Sequence, residues 1–331
     1  MTNNSEYKAW RVTEQDGQYI GAEETCRIAD LPEGEVLIKV SHSSLNYKDA
    51  LSASGNKGVT RNFPHTPGID AAGEVVESGG TPAVGSKVIV TGYDLGMNTA
   101  GGFGEYIRVP AGWCVEMPAG WDAATAMVYG TAGLTAGLCV EKLLQMGAAP
   151  AQGKVAVSGA SGAVGSVAVE ILAKLGFEVV AISGKSAHAD ALKALGASEV
   201  VGRDALEPGK KPMLKPVFAN AVDTVGGAPL AELLKQIMPG GSVAACGLVA
   251  GPQLETTVLP FILRGVNLLG VDSVEIPLEA KKSVWQKLSG DWACAKAEKA
   301  ARTIGRSELD AALRAFLKGE SAGKIVLDHS H

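Results

Sequence analysis

The sequence predicts an α/β protein in which an irregular β-rich unit is joined to a unit of βαβ construction. Three observations carry that prediction. Short β-prone runs punctuated by glycine and proline occupy roughly the first 125 residues. From about residue 123 to 264, alanine-rich helical stretches alternate with short apolar strands. Within that second stretch, a glycine-rich turn (residues 159–165) lies between a strand and a helix.

In chain order, residues 36–40, 74–76 and 87–90 read as strands, and twelve of the 42 glycines fall between Gly55 and Gly104, marking loops between them. Residues 154–157 form the next strand, followed by a helix over 166–175 that Gly176 stops in a C-terminal cap position. Residues 179–182 are a strand, 189–195 a helix ended by Gly196, and 199–201 and 218–222 further strands. A helix over 230–237 and a strand over 242–245 follow. Strands separated by helices of this length imply a parallel sheet. The last stretch holds a strand at 266–271, helices rich in Lys, Ala and Glu, and a closing strand at 324–327.

Composition removes several classes of function. The 331 residues carry 30 Lys+Arg against 35 Asp+Glu, a net charge of −5 without basic blocks, so nucleic acid is not an expected partner. No run reaches the ~18 uninterrupted apolar residues of a membrane helix; the best, 171–182, is broken by Lys174 and Glu178. The N-terminal residues are polar and lack the apolar core of a signal peptide. The five cysteines are scattered and odd in number, which fits a reducing cytoplasm better than a disulfide framework.

Gly159, Gly162 and Gly165 sit between the strand at 154–157 and the helix that follows. Glycines there permit a tight turn and close approach of a pyrophosphate, and the helix N-terminus offers free N–H groups to it. An NAD site would place a carboxylate at the end of the next strand to hold the ribose 2′-hydroxyl. That strand instead ends in Ser183, Gly184 and Lys185, a hydroxyl and an ammonium suited to a 2′-phosphate. Glu178 stands at its other end. NADPH is the expected cofactor.

Zinc is not expected. A catalytic zinc needs three Cys, His or carboxylate ligands, and His42 and His65 have no cysteine nearby. No two cysteines lie within ten residues of each other, and Pro67-Gly68-Ile69-Asp70 stands where a zinc dehydrogenase would carry Gly-His-Glu. No nucleophile elbow is present either, so the cofactor is expected to carry the chemistry.

The segment Ser43-Ser44-Leu45-Asn46-Tyr47-Lys48-Asp49 gathers an amide, a phenol, an ammonium and a carboxylate. Taken alone it reads equally as a helix start capped by Asn46. Together with Arg61-Asn62-Phe63-Pro64, Pro67 to Gly73 and Gly130 to Thr135, it resembles the zinc-independent quinone-reductase branch of the medium-chain dehydrogenase/reductases. Ala221 to Gly226, Val243 to Leu248, Pro260 to Arg264 and Gly270 to Ser273 narrow the resemblance to the acrylyl-CoA reductase subfamily, over essentially the whole chain. Lys185 departs from the pattern, where relatives carry arginine, but keeps the positive charge.

The resemblance implies a GroES-like catalytic domain from residues 1–125 and 265–331, a Rossmann NADPH-binding domain from 126–264, and a homodimer. It implies NADPH-dependent reduction of the C=C bond of acryloyl-CoA to propionyl-CoA. Tyr47 would lie against the cofactor, Ser161 to Val164 at the pyrophosphate, Ser183 to Lys185 at the 2′-phosphate, and Thr131, Leu248 and Lys324 at the nicotinamide end. Tyr47, with Asn46 and Asp49, is the catalytic group expected, Tyr47 orienting the reactants or donating a proton, with water as the rival donor. Coenzyme A brings phosphates, for which Lys48, Arg61 and Arg264 are candidates, beside Lys57 and Lys281. A reductase of quinones or free enones and a low-turnover NADPH-binding protein are the alternative readings.

Overall fold

The computed structural model describes residues 5–321 and 323–331 and divides into two compact units. One holds the chain up to Thr131 with Ser273–Ser289 and the residues from Ala300 onward; the other holds Ala132–Asp272 with Gly290–Lys299.

The first unit is built on a seven-stranded sheet. Its long central strand, Val36–Ser44, pairs antiparallel with Asp70–Ser78 on one side and with Ile325–Asp328 on the other. The register Val326↔Ser44 brings the C-terminal end of the chain beside residues 44–46, and Leu45 N–H closes on the Ile325 carbonyl at 3.0 Å. Asp70–Ser78 pairs in turn with Lys87–Thr91, and alternate residues of these strands, among them Val36, Ile38, Val40, Val75, Val88 and Val90, form one buried apolar cluster. A hairpin of Glu6–Gln15 and Gln18–Arg27, which the sequence reading left unassigned, turns at Asp16-Gly17, both at positive φ (50° and 76°), as a two-residue hairpin turn demands.

The second unit is a six-stranded parallel sheet in the order Glu199–Val201, Val179–Ile182, Val155–Ser158, Asn220–Asp223, Ser242–Ala245, Asn267–Gly270. Numbered along the chain this is 3-2-1-4-5-6, the doubly wound dinucleotide-binding order, whose direction reverses between Val155–Ser158 and Asn220–Asp223. The helices Ala163–Lys174 and Ala189–Leu195 match the helices expected there, and Gly176 and Gly196 end them at φ 85° and 116°.

The boundaries differ from the expected ones at 125/126 and 264/265. Asn267–Gly270 is the sixth strand of the parallel sheet, with Leu268 in register with Val243, so the unit runs on to Asp272. A strand's residues declare that it is a strand, not which sheet receives it. Residues 290–299 also return to this unit: the buried Glu170 carboxylate accepts the N–H groups of Lys296 and Ala297 (3.1 and 2.9 Å), and Lys174 binds the Ala293 carbonyl at 2.8 Å.

The helix Ala123–Gln145, longer than the apolar run 171–182, is by length and composition long and apolar enough to cross a membrane. Its apolar window is 72 % buried, as for a core helix, and Gly130 (φ 48°, ψ −154°) breaks its helical path one residue before the first unit ends.

Candidate functional site

Each unit carries one of two polar constellations. In the second unit, Gly159 (φ 62°) follows the strand Val155–Ser158, and Gly162 is the extended N-cap of the helix Ala163–Lys174. The turn closes with Gly162 N–H on the Gly159 carbonyl at 2.9 Å, and Ser166 N–H reaches back to the Gly162 carbonyl at 2.9 Å. A Cβ on Gly165 would strike the Gly159 carbonyl, so that glycine is required for the helix to approach the strand. The first N–H groups of this helix, from Ala163 onward, have no partner within it and form an anion-binding end.

The second strand of this unit ends at the same place. Ser183 is buried, its hydroxyl donates to Ser161 Oγ at 3.0 Å, and Lys185 N–H donates to Ser183 Oγ at 3.2 Å. The Arg203 guanidinium, which the sequence reading missed, packs against Gly184 where a side chain would otherwise stand. The parallel register Val201↔Ile182 carries it there, two residues past the strand Glu199–Val201. Glu178, at the far end of Val179–Ile182, pairs with Lys154 at 3.6 Å. Leu248, 58 % exposed, lies in the loop after Ser242–Ala245, its Cα against Gly226.

In the first unit, Asn46 is the N-cap of a short helix, Tyr47–Ala53, and Asp49 accepts the Asn46 backbone N–H at 2.7 Å and the Ile69 N–H at 2.8 Å. The capped-helix reading of this segment therefore holds. Asp70, which the sequence analysis noted only where a zinc motif is missing, is the hub of the constellation. Fully buried, it accepts Asn46 Nδ2 at 2.8 Å, Thr131 N–H at 2.9 Å and the hydroxyls of Ser44 and Thr131. Gly130 passes over this cluster so closely that a Cβ would collide with Ser44 Oγ and Asp70 Oδ2.

Lys324 is buried beside it, with Nζ 3.4 Å from Asn46 Oδ1. Burial holds its ammonium below the ordinary lysine range, against the pull of Asp70 and Asp49. Burial, and then the neighbouring Asp70 carboxylate, push the Asp49 carboxyl up to about 7, offset by the N–H donors of Ile69 and Asn46. Two buried carboxylates and one buried ammonium thus share a small volume, the setting in which charges are expensive unless paired. Tyr47 is half-buried, and its phenol has no hydrogen-bond partner among the described residues.

The candidates for coenzyme A phosphates separate. Arg264 is spent on backbone carbonyls, those of Lys235 (2.8 Å), Ile237 (3.1 Å) and Leu214 (2.6 Å), so its charge ties loops together. Lys281 is buried, 2.7 Å from the Thr91 carbonyl and 3.4 Å from the centre of the Tyr93 ring. Lys57 pairs with Glu14 at 3.0 Å. Lys48 lies with Nζ 3.9 Å from Met97 Sδ, and Arg61 is exposed. No three His, Cys, Asp or Glu side chains among the described residues converge as a metal site. The Asp49–Asp70 cluster itself does not fit zinc, since N–H and O–H donors already fill its carboxylates and the Lys324 ammonium is buried nearby.

Residues 32–119 match the family model for the alcohol dehydrogenase GroES-like domain, and residues 163–290 match that for the zinc-binding dehydrogenase. The chain is 45 % identical over 321 residues to the probable acrylyl-CoA reductase AcuI of Escherichia coli (strain K12), covering 97 % of this chain and 99 % of that protein. It is 43 % identical to the acrylyl-CoA reductase AcuI of Ruegeria pomeroyi, covering 95 % and 96 %. Among solved structures it resembles E. coli K-12 YhdH with bound NADPH (TM-score 0.93, 45 % identity, 97 % and 99 % covered). It also resembles Bacillus subtilis yhfP with NAD bound (TM-score 0.95, 41 % identity, 98 % and 100 % covered).

Proposed function

The chain belongs to the acrylyl-CoA reductase branch of the medium-chain dehydrogenase/reductases, and on that premise we propose that it catalyses NADPH-dependent reduction of the C=C bond of acryloyl-CoA to propionyl-CoA. The observation that carries this reading is likeness to acrylyl-CoA reductases over nearly the whole chain, with the glycine-rich loop intact.

When bound, NADPH supplies the hydride that enters the β-carbon of the enoyl thioester. Ser161 to Val164, on the loop and helix end, take the pyrophosphate. Ser183, Lys185 and Arg203 are the groups proposed to take the 2′-phosphate, a hydroxyl and two cations. Thr131, Leu248 and Lys324 are the residues proposed for the nicotinamide end. Reduction places negative charge on the thioester oxygen and then needs a proton at the α-carbon. A donor aimed at that oxygen lowers the barrier. Tyr47 is the residue proposed to orient the reactants and donate the proton. Asp70 holds Asn46 and Thr131 in place, and Asp49 fixes the start of the Tyr47 helix.

The proposal includes a cytoplasmic homodimer. All five cysteines are free thiols, as in a reducing compartment. Asn267–Gly270 ends the parallel sheet with one edge open, and Ile262 and Leu263 before it are exposed apolar residues that a second copy would cover.

Loss of NADPH absorbance, followed in parallel with acryloyl-CoA, crotonyl-CoA and a quinone, tests the reading. Turnover fastest with acryloyl-CoA supports it. Turnover with the quinone alone, or with none of the three, sinks it.

A further inference from the structure

The strand order of the parallel sheet reverses between Val155–Ser158 and Asn220–Asp223, and such sheets bind ligands at that crevice. Asp223 stands at the C-terminal end of its strand there, fully buried. Its Oδ1 accepts the Ser158 hydroxyl at 2.6 Å, its Oδ2 accepts the Gly226 N–H at 2.8 Å, and the Val225 N–H also donates to it. Ser158 Oγ in turn accepts the Thr224 N–H at 3.1 Å, and the Thr224 hydroxyl donates to the Ser158 carbonyl at 2.9 Å.

These bonds reach both loops that face the crevice. Ser158 immediately precedes Gly159, and the Thr224 hydroxyl fills the space a Gly159 Cβ would take. Gly226 and Gly227, at φ 70° and 57°, lie against the carbonyls of Gly247 and Ala250. The Asp223 carbonyl accepts the Cys246 N–H at 2.9 Å and its thiol at 3.4 Å, and the Val225 carbonyl accepts the Ala250 N–H at 2.9 Å. The loop bearing Leu248 therefore hangs on the turn that the Asp223 side chain folds.

We propose that Asp223 is a positioning residue for the nicotinamide cofactor: its carboxylate fixes the phosphate loop and the 246–250 loop in one mutual register, and so sets cofactor affinity. The inference rests on residues 159–165 being the cofactor loop and is independent of which enoyl thioester is reduced. A carboxylate accepts from all three donors at once. An amide would turn its NH2 toward the Ser158 hydroxyl, which already accepts the Thr224 N–H and would have to swing its own proton away, and alanine would leave all three donors without this acceptor.

The experiment compares wild type, Asp223→Asn and Ser158→Ala as full chains. NADPH binding is titrated by fluorescence, NADPH and NADH kinetics are measured, and thermal unfolding checks the fold. For Asp223→Asn the expected result is a rise of about tenfold or more in both Kd and KM for NADPH. The turnover rate at saturating NADPH should change less than about threefold, the split expected when uniform binding is lost. The NADPH-to-NADH preference should not move, because the groups around the 2′-phosphate are untouched. Ser158→Ala, which removes one donor, should give a smaller rise of about threefold.

A folded Asp223→Asn protein with wild-type Kd overturns the proposal, as does a fall in turnover with KM unchanged. If Asp223→Asn does not fold, Ser158→Ala decides: a folded protein with wild-type Kd overturns it, and a raised Kd at unchanged turnover supports it. A wild type that binds NADPH but reduces no enoyl-CoA contradicts the substrate reading alone. A wild type that binds neither nicotinamide overturns both.

Discussion

Arg203 lays its guanidinium directly against Gly184, so a cation follows each of the second and third strands of the parallel sheet, with Lys185 one residue beyond the contact. A 2′-phosphate bound there would meet two positive charges. We predict that Lys185→Ala and Arg203→Ala each raise the KM for NADPH about tenfold to a hundredfold, the value of one charge-assisted hydrogen bond, and leave that for NADH within about twofold. Steady-state kinetics with both cofactors check it. Equal losses for the two cofactors would move the 2′-phosphate elsewhere.

Tyr47→Phe removes only the phenolic hydroxyl. If that group supplies the proton, turnover with acryloyl-CoA should fall about a hundredfold or more while the Kd for NADPH stays within about twofold. Full turnover with unchanged cofactor binding would assign the proton to water.

Asp49 makes a prediction about stability. Its folded-state pKa of about 7 lies above the ~3.9 of a free aspartate, so the folded chain holds this proton more tightly than the unfolded one. The contribution to stability is fully present below about pH 4 and is lost as pH rises through about 7. Urea unfolding of wild type and Asp49→Asn between pH 4 and 8 should show a difference that changes in that direction across the window. A pH-independent difference would contradict the burial argument.

Gly130 is the most constrained backbone position in the first unit's cluster. Its φ of 48° disfavours any side chain, and a Cβ would also strike Ser44 and Asp70. Gly130→Ala should destabilise the protein by about 2 kcal/mol or more, combining backbone strain and steric cost. Denaturant unfolding measures it, and a loss under about 0.5 kcal/mol would argue that the cluster is loosely packed.

Arg264→Ala separates structural from substrate-binding cations. The carbonyls of Leu214, Lys235 and Ile237 lose a charged donor, so stability should drop by about 2–4 kcal/mol. The KM for acryloyl-CoA should remain within about twofold. A large rise in that KM at unchanged stability would return Arg264 to the coenzyme A site.

The parallel unit was the more legible part of the sequence, because its chemistry is local. Gly159, Gly162 and Gly165 are read from spacing, and Gly176 and Gly196 mark helix ends by the left-handed conformation they adopt. Arg203 was less visible. Its meaning depends on the register Val201↔Ile182, although counting residues past each parallel strand would have found it. Asp70 and Lys324 could not be joined from sequence, since only the antiparallel pairing of Ile325–Asp328 with Val36–Ser44 brings position 324 beside 46. Arg264 misled because a charged side chain at the end of the helix Leu259–Arg264 gives no sign that backbone carbonyls surround it.

The central claim is that hydride from NADPH enters the β-carbon of acryloyl-CoA. Incubation with NADPH deuterated at the transferable position, followed by mass spectrometry and NMR of the acyl product, tests it most directly. The account predicts propionyl-CoA carrying one deuterium, at the β-carbon. Propionyl-CoA without the label, label at the α-carbon, or NADPH consumption without propionyl-CoA would contradict it.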